Sequence, residues 1–270
     1  MLTVGKISFI GGGNMAEAIL QGILREEAGV GICVAEISPK RRDEITARFT
    51  KVRVVADALE AARWGDVVIL AVKPQQAAGV LDLLEPVITT DKLVISIMAG
   101  IQSSKIEENL APDCRVVRAM PNTPALIGAG ATALCAGRKA SAGDLDLAQK
   151  IFALIGTAVR VDEKQMDAVT ALSASGPAYV FTFIEALSDA GVKNGLPREV
   201  AARLAVQTVL GSARMVVETG EHPALLKERV TSPGGTTIAG LHALESGSFR
   251  GVVMDAVEAA CRRSKELAGK

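Results

Sequence analysis

The sequence predicts an α/β fold, with a doubly wound sheet in the N-terminal part and an all-α domain in the C-terminal part. Short β-type runs alternate with helical patterns up to about Asp162, which is typical of a parallel sheet covered on both faces. The β-type runs then stop, and the rest of the chain has only helical and loop patterns. A length of 270 residues also favours two domains over one.

The predicted strands are short runs of mainly aliphatic residues that are bounded by turn residues. They cover residues 6–10, 32–36, 53–55, 67–71, 93–97, 115–119, 131–135 and 157–161. The clearest helices between them cover residues 14–25, 39–49, 75–84 and 104–110. Pro39 suits the first turn of its helix, and Ser104 with Glu107 has the spacing of a capping box.

Long helices are predicted for the C-terminal part. Gly195 and Pro197 separate two of them, and Gly176 with Pro177 should kink the helix in which they lie. The helix that follows Pro197 has apolar residues on more than one side as far as Val217. We therefore expect it to pack against several neighbours or against a partner subunit.

Composition excludes several classes of ligand. Lys+Arg 30 and Asp+Glu 30 give a net charge of +0, which provides no field for nucleic acid or anionic membranes, and 3% aromatic residues argue against base stacking. The four cysteines and two histidines have no metal-site spacing, so no metal is expected and the thiols indicate a cytoplasmic protein. There is no signal-peptide pattern, and the uncharged stretch 168–184 is short for a membrane span.

A glycine-rich sequence, residues 11–16 (GGGNMA), lies between the first predicted strand and the first predicted helix. Gly11 permits a tight turn, Gly13 lets the backbone approach a pyrophosphate, and Ala16 is small enough for close packing of helix against strand. The free N–H groups of the helix start would hold the phosphates. This Rossmann-type fingerprint predicts a dinucleotide-binding domain, the alternative being a glycine-rich turn without a ligand.

The residues after the second predicted strand bear on which dinucleotide is bound. Glu36 lies 25 positions after Gly11, near the usual place of an acid that binds the adenosine ribose of NAD. Ser38 and the basic residues 40–42 would instead suit the 2′-phosphate of NADP, unless these cations only form a solvated helical turn. NADP is the predicted cofactor, and NAD remains an alternative.

Three further segments follow predicted strands and therefore lie at the carboxyl edge of the sheet, where open α/β sheets bind ligands. They are residues 72–74 (VKP), 96–100 (SIMAG) and 118–125 (RAMPNTPA). In the helical part, residues 232–238 (SPGGTTI) place two glycines and two threonines at a helix start, which suits either a carboxylate or a simple helix cap. No Ser/His/Asp or Cys/His arrangement supports covalent catalysis.

Five of these segments occur in the order found in a known family. With GGGNM at 11–15, VKP at 72–74, RAMPNTP at 118–124, SGPAY at 175–179 and SPGGTT at 232–237, the sequence resembles pyrroline-5-carboxylate reductases over essentially its whole length. The resemblance implies the last step of proline biosynthesis, in which a hydride passes from NAD(P)H to a cyclic imine and gives L-proline. It also implies a homodimer with interlocked helical domains, with assembly into a larger ring left open.

The resemblance implies site residues position by position. Ser232, Gly235, Thr236 and Thr237 would bind the substrate, with Thr237 as the catalytic residue at the imine nitrogen. Glu163 matches a position at the substrate pocket, acting directly or through water. The implied cofactor-binding residues are Gly11, Gly13, Asn14, Met15, Ser38, Val72, Lys73, Pro74 and Ala99. Ala58 departs from the asparagine that many members carry near this position.

Residues 1–161 are accordingly predicted to be a dinucleotide-binding domain, and residues 162–270 a helical substrate-binding and dimerisation domain. Two other functions stay open. A β-hydroxyacid dehydrogenase would need a catalytic lysine in the helical part, for which Lys164 and Lys193 are available without a supporting motif. A nonenzymatic dinucleotide-binding regulator would leave the 232–237 segment without a function.

Overall fold

The N-terminal part of the chain folds around a single sheet. In the computed structural model, which describes residues 2, 4–27 and 29–269, this sheet has eight strands. They are β1 (Lys6–Ile10), β2 (Gly31–Ala35), β3 (Arg53–Val55), β4 (Val67–Leu70), β5 (Leu93–Ser96), β6 (Arg115–Met120), β7 (Gly130–Ala136) and β8 (Gly156–Arg160). Every predicted strand is confirmed to within one residue at each end.

The strand order is β3-β2-β1-β4-β5-β6-β7-β8. Strands β1 to β6 are parallel, and their order is that of a doubly wound dinucleotide-binding sheet. Strand β7 runs antiparallel to β6, and β8 runs parallel to β7. The expectation of a parallel sheet is therefore wrong for the last two strands, because the connection from β6 to β7 is too short for a crossover helix.

The described residues form twelve α-helices. They are α1 (Asn14–Glu26), α2 (Pro39–Arg48), α3 (Ala58–Trp64), α4 (Ala77–Leu84), α5 (Ser103–Glu108), α6 (Ala142–Ala153), α7 (Met166–Val169), α8 (Gly176–Lys193), α9 (Arg198–Thr219), α10 (Pro223–Arg229), α11 (Thr236–Ser246) and α12 (Phe249–Leu267). Pro177 lies in the first turn of α8 and not inside a continuous α-helix, because a π-helical segment, Thr170–Ala174, precedes it.

The predicted capping box of Ser104 and Glu107 is wrong. Helix α5 starts one residue earlier, with Gln102 at the N-cap, so that Ser104 is already inside the helix. The Glu107 carboxylate instead accepts hydrogen bonds from the backbone N–H (2.6 Å) and Nε (2.8 Å) of Arg138. A long-range ion pair thus replaces the local bond that the spacing suggested.

Both faces of the sheet are buried. In β4, Val67 and Ile69 belong to one hydrophobic cluster, while Val68 and Leu70 belong to the other. The first cluster includes side chains of α1 and α6, and the second includes side chains of α3, α4 and α5. Alternate residues of one strand therefore contact opposite helical layers, as the aliphatic strand sequences predict.

The chain divides into two compact units, residues 1–175 together with 260–270, and residues 176–259. The segment from Glu163 to Ser175 thus belongs structurally with the sheet, as do the last turns of α12. The functional division predicted at residue 161 stays a prediction.

The second unit contains few buried side chains. Across residues 176–259, all of which the structure describes, only Ser188, Ala201 and Ala205 are buried. Large exposed apolar side chains include those of Phe181, Leu204, Met215, Val217, Val252 and Met254.

By length and composition alone α9 could also cross a membrane, with a mean hydropathy of 1.3 over an 18-residue window, but this is weak support for a span. The apolar character predicted around α9 is confirmed.

A glycine at the start of β8 is required by the strand pairing. Gly156 has φ +142°, and a Cβ there would collide with the backbone of Gly130 in β7. We expect Gly156→Ala to destabilise the protein by about 2 to 4 kcal/mol because strain and overlap add. Differential scanning calorimetry should then show a melting temperature lower by about 5 °C or more.

Gly143→Ala is the matched control, because Gly143 lies in the first turn of α6 and the nearest atom to an added Cβ is 3.6 Å away. It should leave the melting temperature unchanged or slightly higher. Equal effects of the two substitutions would contradict the steric argument.

Candidate active site

The turn that follows β1 lies against the end of β4, where the order of the sheet reverses direction. Gly11 has φ +103°, and a Cβ at this position would lie 2.7 Å from the carbonyl oxygen of Ala71 and 3.2 Å from Cγ1 of Val72. The Gly11 N–H donates to the carbonyl of Ala35 at 2.8 Å. Only glycine fits here, and the contact places the 11–16 segment directly beside the 72–74 segment.

The start of α1 is free of side-chain caps. Gly13 is the N-cap in extended conformation, no side chain caps the helix, and nothing lies within 4 Å of an added Cβ. The first residues of the helix, Asn14 and Met15, therefore present their end of the helix dipole without a competing side-chain oxygen. Ala16 is buried in the core, as its proposed packing role requires. This geometry fits a dinucleotide pyrophosphate.

Glu36 connects the glycine turn to the turn after β2. Its Oε2 accepts from the N–H of Gly12 and its Oε1 from the N–H of Ser38, both at 2.9 Å. The Ser38 hydroxyl in turn caps α2. Charge-assisted bonds of this kind are stronger than neutral ones. The carboxylate thus holds the protein's own backbone at the place where the sequence suggested a ribose contact.

Two of the three basic residues near Ser38 also hold this region together. Arg41 donates from Nε to the carbonyl of Gly12 at 2.8 Å, and Arg42 donates from Nη1 to the carbonyl of Glu36 at 2.9 Å. Lys40 is exposed and has no polar partner among the described residues. The predicted basic cluster therefore consists of two structural arginines and one free cation.

A cavity of about 530 Å³ opens at the carboxyl ends of β4 and β5. The residues that line it include Pro74, Ala99 and Gly100 beside the sheet and Thr170, Ser175 and Arg263 from helical segments. All of them belong to the first compact unit. Ala99 and Pro74, which were predicted to contact the cofactor, are thus brought to one cavity.

Glu163, which is partly exposed, contacts three buried side chains, and we call these four residues the Glu163 cluster. Its Oε1 accepts from Nη1 of Arg118 at 2.5 Å, and its Oε2 accepts from Oγ of Ser103 at 2.8 Å and Sγ of Cys135 at 3.1 Å. The Arg118 side chain is only 1% exposed. Its Nε and Nη2 have no hydrogen-bond partner in the part of the chain that is described. The assignment of Glu163 to the substrate pocket stays a prediction.

The cluster shifts the ionisation of its members in opposite directions. Burial, the largest effect on Glu163, raises its pKa, but three hydrogen bonds and the charge of Arg118 outweigh it and leave the pKa below its ordinary value. Burial and the hydrogen bond to Glu163 raise the pKa of Cys135. Cys33 lies in β2, outside this cluster, and burial raises its pKa to about 11. Protonated thiols are poor nucleophiles, so these cysteines do not support covalent catalysis.

The 232–237 segment of the second unit forms the start of α11. Gly235 is the N-cap without a side-chain cap, Gly234 has φ +65°, and the Gly235 N–H donates to the carbonyl of Ser232 at 3.1 Å. Thr236 and Thr237 are then the first two residues of the helix. The open N–H groups and the two hydroxyls together suit a carboxylate, and a groove of about 900 Å³ includes both glycines.

The two lysines of the alternative dehydrogenase assignment do not form a site. Lys164 pairs with Asp162 at 3.5 Å and is largely exposed, and Lys193 is an exposed residue in the last turn of α8. Ser103 and Arg118 were missed as site-forming side chains. The sequence does contain an indication for Arg118. It lies inside a run of mainly aliphatic strand residues, and a charged side chain that is buried in such a strand needs a partner.

The Arg118–Glu163 ion pair should make the free energy of unfolding depend on pH. The pKa of Glu163 in the folded protein lies below its unfolded value of about 4.3. The ionised carboxylate therefore stabilises the folded protein above that pH, and this contribution is lost as the pH falls through the lower folded-state pKa. Glu163→Gln should destabilise the protein by about 3 kcal/mol at pH 7 by leaving Arg118 unpaired. Its melting temperature should then fall less steeply than that of the parent protein between pH 5 and 3.

Glu60→Gln is the control, because Glu60 pairs with Arg53 at an exposed site. Exposed pairs contribute little, so this variant should follow the parent protein at every pH. If Glu163→Gln has the same acid dependence as the parent, the ion pair does not contribute in this way.

Comparison with known proteins identifies the family. A family model described as pyrroline-5-carboxylate reductase dimerisation matches residues 163–267, which implies a homo-oligomer, and one described as NADP oxidoreductase, coenzyme F420-dependent, matches residues 6–100. The pyrroline-5-carboxylate reductase of Synechocystis is 49% identical over 267 residues, which cover 98% of this chain and 99% of the relative. The predicted α/β sheet followed by a helical dimerisation domain is thereby confirmed.

Two solved structures agree over the whole chain. A pyrroline-5-carboxylate reductase from Coxiella burnetii is 41% identical with a TM-score of 0.93, and the match covers 98% of this chain and 99% of the other. A Plasmodium falciparum pyrroline carboxylate reductase with NADP bound is 38% identical with a TM-score of 0.86, and the match covers 99% of both chains. The resemblance of the motifs therefore extends to full-length identity and fold, and the chain belongs to the pyrroline-5-carboxylate reductase family.

Proposed function

We propose that this protein reduces 1-pyrroline-5-carboxylate to L-proline with NADPH. The observation that carries the proposal is a pair of helix starts, α1 at Gly13 and α11 at Gly235, at which the N-cap is an extended glycine and no side chain caps the helix. One suits the pyrophosphate of a dinucleotide, and the other suits the carboxylate of a small imino acid. The full-length relatives that are named pyrroline-5-carboxylate reductase support the same reaction.

The reaction asks little of the protein beyond binding and orientation. NADPH supplies a hydride when bound, and the imine carbon accepts it most readily when the imine nitrogen carries a proton. Ser232, Gly235 and Thr236 anchor the substrate carboxylate in this proposal, while the Thr237 hydroxyl hydrogen-bonds the nitrogen. Glu163 is assigned to the substrate pocket, where it acts directly or through water.

The cofactor assignment to NADP rests on several features. Gly11, Gly13, Asn14 and Met15 form the pyrophosphate turn, and Val72, Lys73, Pro74 and Ala99 follow the strands that end beside it. Ser38 and the unpaired Lys40 would receive the 2′-phosphate, since Glu36 is engaged by backbone N–H groups. The Plasmodium falciparum relative has NADP bound, which favours NADP over NAD.

A homodimer is the proposed assembly, with a larger ring as an extension that stays open. The exposed apolar side chains of the second unit support it, because a soluble helical unit must cover such a surface. The cytoplasm is the proposed location, and the free cysteines among the described residues fit a reducing compartment.

A spectrophotometric assay tests the proposed reaction. Purified protein should oxidise NADPH in the presence of 1-pyrroline-5-carboxylate, more efficiently than it oxidises NADH, and should be inactive with a panel of hydroxyacids and NADP. Activity with a hydroxyacid would support the dehydrogenase alternative. No oxidation of either cofactor with the imine would contradict the proposal.

Thr237→Ala should lower kcat by about 10²- to 10⁴-fold, as expected when a positioned proton-transferring group is removed. The loss should lie at the low end if the substrate already carries the proton. Thr237→Ser keeps the hydroxyl and is the matched control, which should retain most of kcat. An alanine variant with unchanged kcat would remove Thr237 from the mechanism.

A further inference from the structure

The Glu163 cluster joins four separate segments of the first unit. Arg118 comes from β6, Cys135 from β7 and Ser103 from the first turn of α5, while Glu163 follows β8. The proposed reaction gives neither Arg118 nor Ser103 a role. The Glu163 carboxylate is hydrogen-bonded to three other segments. It restrains all of them, because none can shift without breaking a charge-assisted hydrogen bond.

One of the four segments ends a loop that lines the cavity. Residues 97–102, which we call the 97–102 loop, connect β5 to α5 and contain Ala99 and Gly100. The loop is held at its start by a bond from the Met98 N–H to Oγ of Ser96 (3.3 Å). It is held at its end by the bond from Ser103 to Glu163. Gly100 has φ +74°, so the loop turns sharply between these two attachments.

Glu163 also begins a second segment that reaches the cavity. From Glu163 the chain continues through α7 to Thr170 and Ser175, both of which line the cavity. Asn122 fastens the far end of that segment, since its Nδ2 donates to the carbonyl of Ser173 at 3.0 Å while its Oδ1 accepts from the N–H of Ala131 at 2.8 Å. The Ser103–Glu163 hydrogen bond therefore joins the end of the 97–102 loop to the start of the 163–175 segment, and both of these segments reach the cavity.

We propose that Ser103 and Glu163 are positioning residues that fix the 97–102 loop relative to the segment 163–175. The inference rests on the proposed function, which assigns Pro74 and Ala99 of this cavity to the cofactor. Arg118 balances the charge of Glu163, and Ser103 transmits the position of the carboxylate to Ala99 and Gly100. Glu163 then acts through Ser103 and not as a proton donor to the imine.

The most selective variant is Ser103→Ala, which removes the link to the loop and leaves the Arg118–Glu163 ion pair in place. Ser104→Ala is the matched control, since Ser104 is the next residue of α5 and its hydroxyl contacts only Gln102, at 3.5 Å, in the described structure. Ser103→Thr restores the hydroxyl and tests for rescue. All three are compared with the parent protein as purified, at equal folded concentration.

The first readout needs no cofactor and no substrate. Hydrogen–deuterium exchange of a peptide that covers residues 97–103 should become at least tenfold faster in Ser103→Ala. It should stay unchanged in Ser104→Ala and return toward the parent rate in Ser103→Thr. Unchanged exchange in Ser103→Ala would overturn the proposal, even if the protein proved inactive as a reductase.

The second readout is catalytic. In Ser103→Ala, kcat should fall by about tenfold to a hundredfold, the loss expected from a displacement of about 1 Å, while KM for the imino acid stays within about twofold. The primary isotope effect with NADPH deuterated at the transferred position should rise, because hydride transfer becomes more rate-limiting. A loss of activity with an unchanged isotope effect would mean that the hydride-transfer step is not affected, and it would overturn the positioning role.

Glu163→Gln separates positioning from proton donation. The pH profile of kcat should keep its shape in this variant while its height falls, and loss of one limb of the profile would show that Glu163 donates the proton. If the parent protein oxidises neither cofactor with the imine, the proposed function fails, while the exchange experiment still decides whether Ser103 holds the loop.

Discussion

The geometry of the site depends on the absence of a Cβ at Gly11. The turn after β1 passes so close to the end of β4 that a Cβ would lie 2.7 Å from the Ala71 carbonyl oxygen. This approach brings the uncapped start of α1 beside the 72–74 segment, with the loops after β2 and β5 on either side in the strand order. The bonds of Glu36 to Gly12 and Ser38 then fix the neighbouring turns relative to one another.

Much of this architecture could be predicted from the sequence because its signals are local. A strand that is buried on both faces is an unbroken aliphatic run, and residues 67–71 show this pattern plainly. The glycines at 11–13, Pro39 at a helix start and the glycines at 234–235 each mark a backbone conformation that few other residues permit. Family membership followed from the order of such segments along the whole chain.

Features set by distant partners could not be predicted in this way. Ser104 and Glu107 had the spacing of a capping box, but Arg138, 31 residues from Glu107, supplies a stronger partner. The reversed direction of β7 and β8 depends on the length of the connection after β6, which the strand sequences do not encode. Ser103 and Glu163 are 60 residues apart, so their bond could be found only from the fold.

The small number of buried side chains in the second unit affects how the protein folds. The second unit has 84 residues, all of them described by the structure, and its fully buried side chains are Ser188, Ala201 and Ala205. Hydrophobic burial within one chain therefore stabilises it little. Its folding and its association are then a single equilibrium, governed by mass action. The folded fraction becomes a function of how much of the protein a cell makes, and dilution acts on it as a denaturant would.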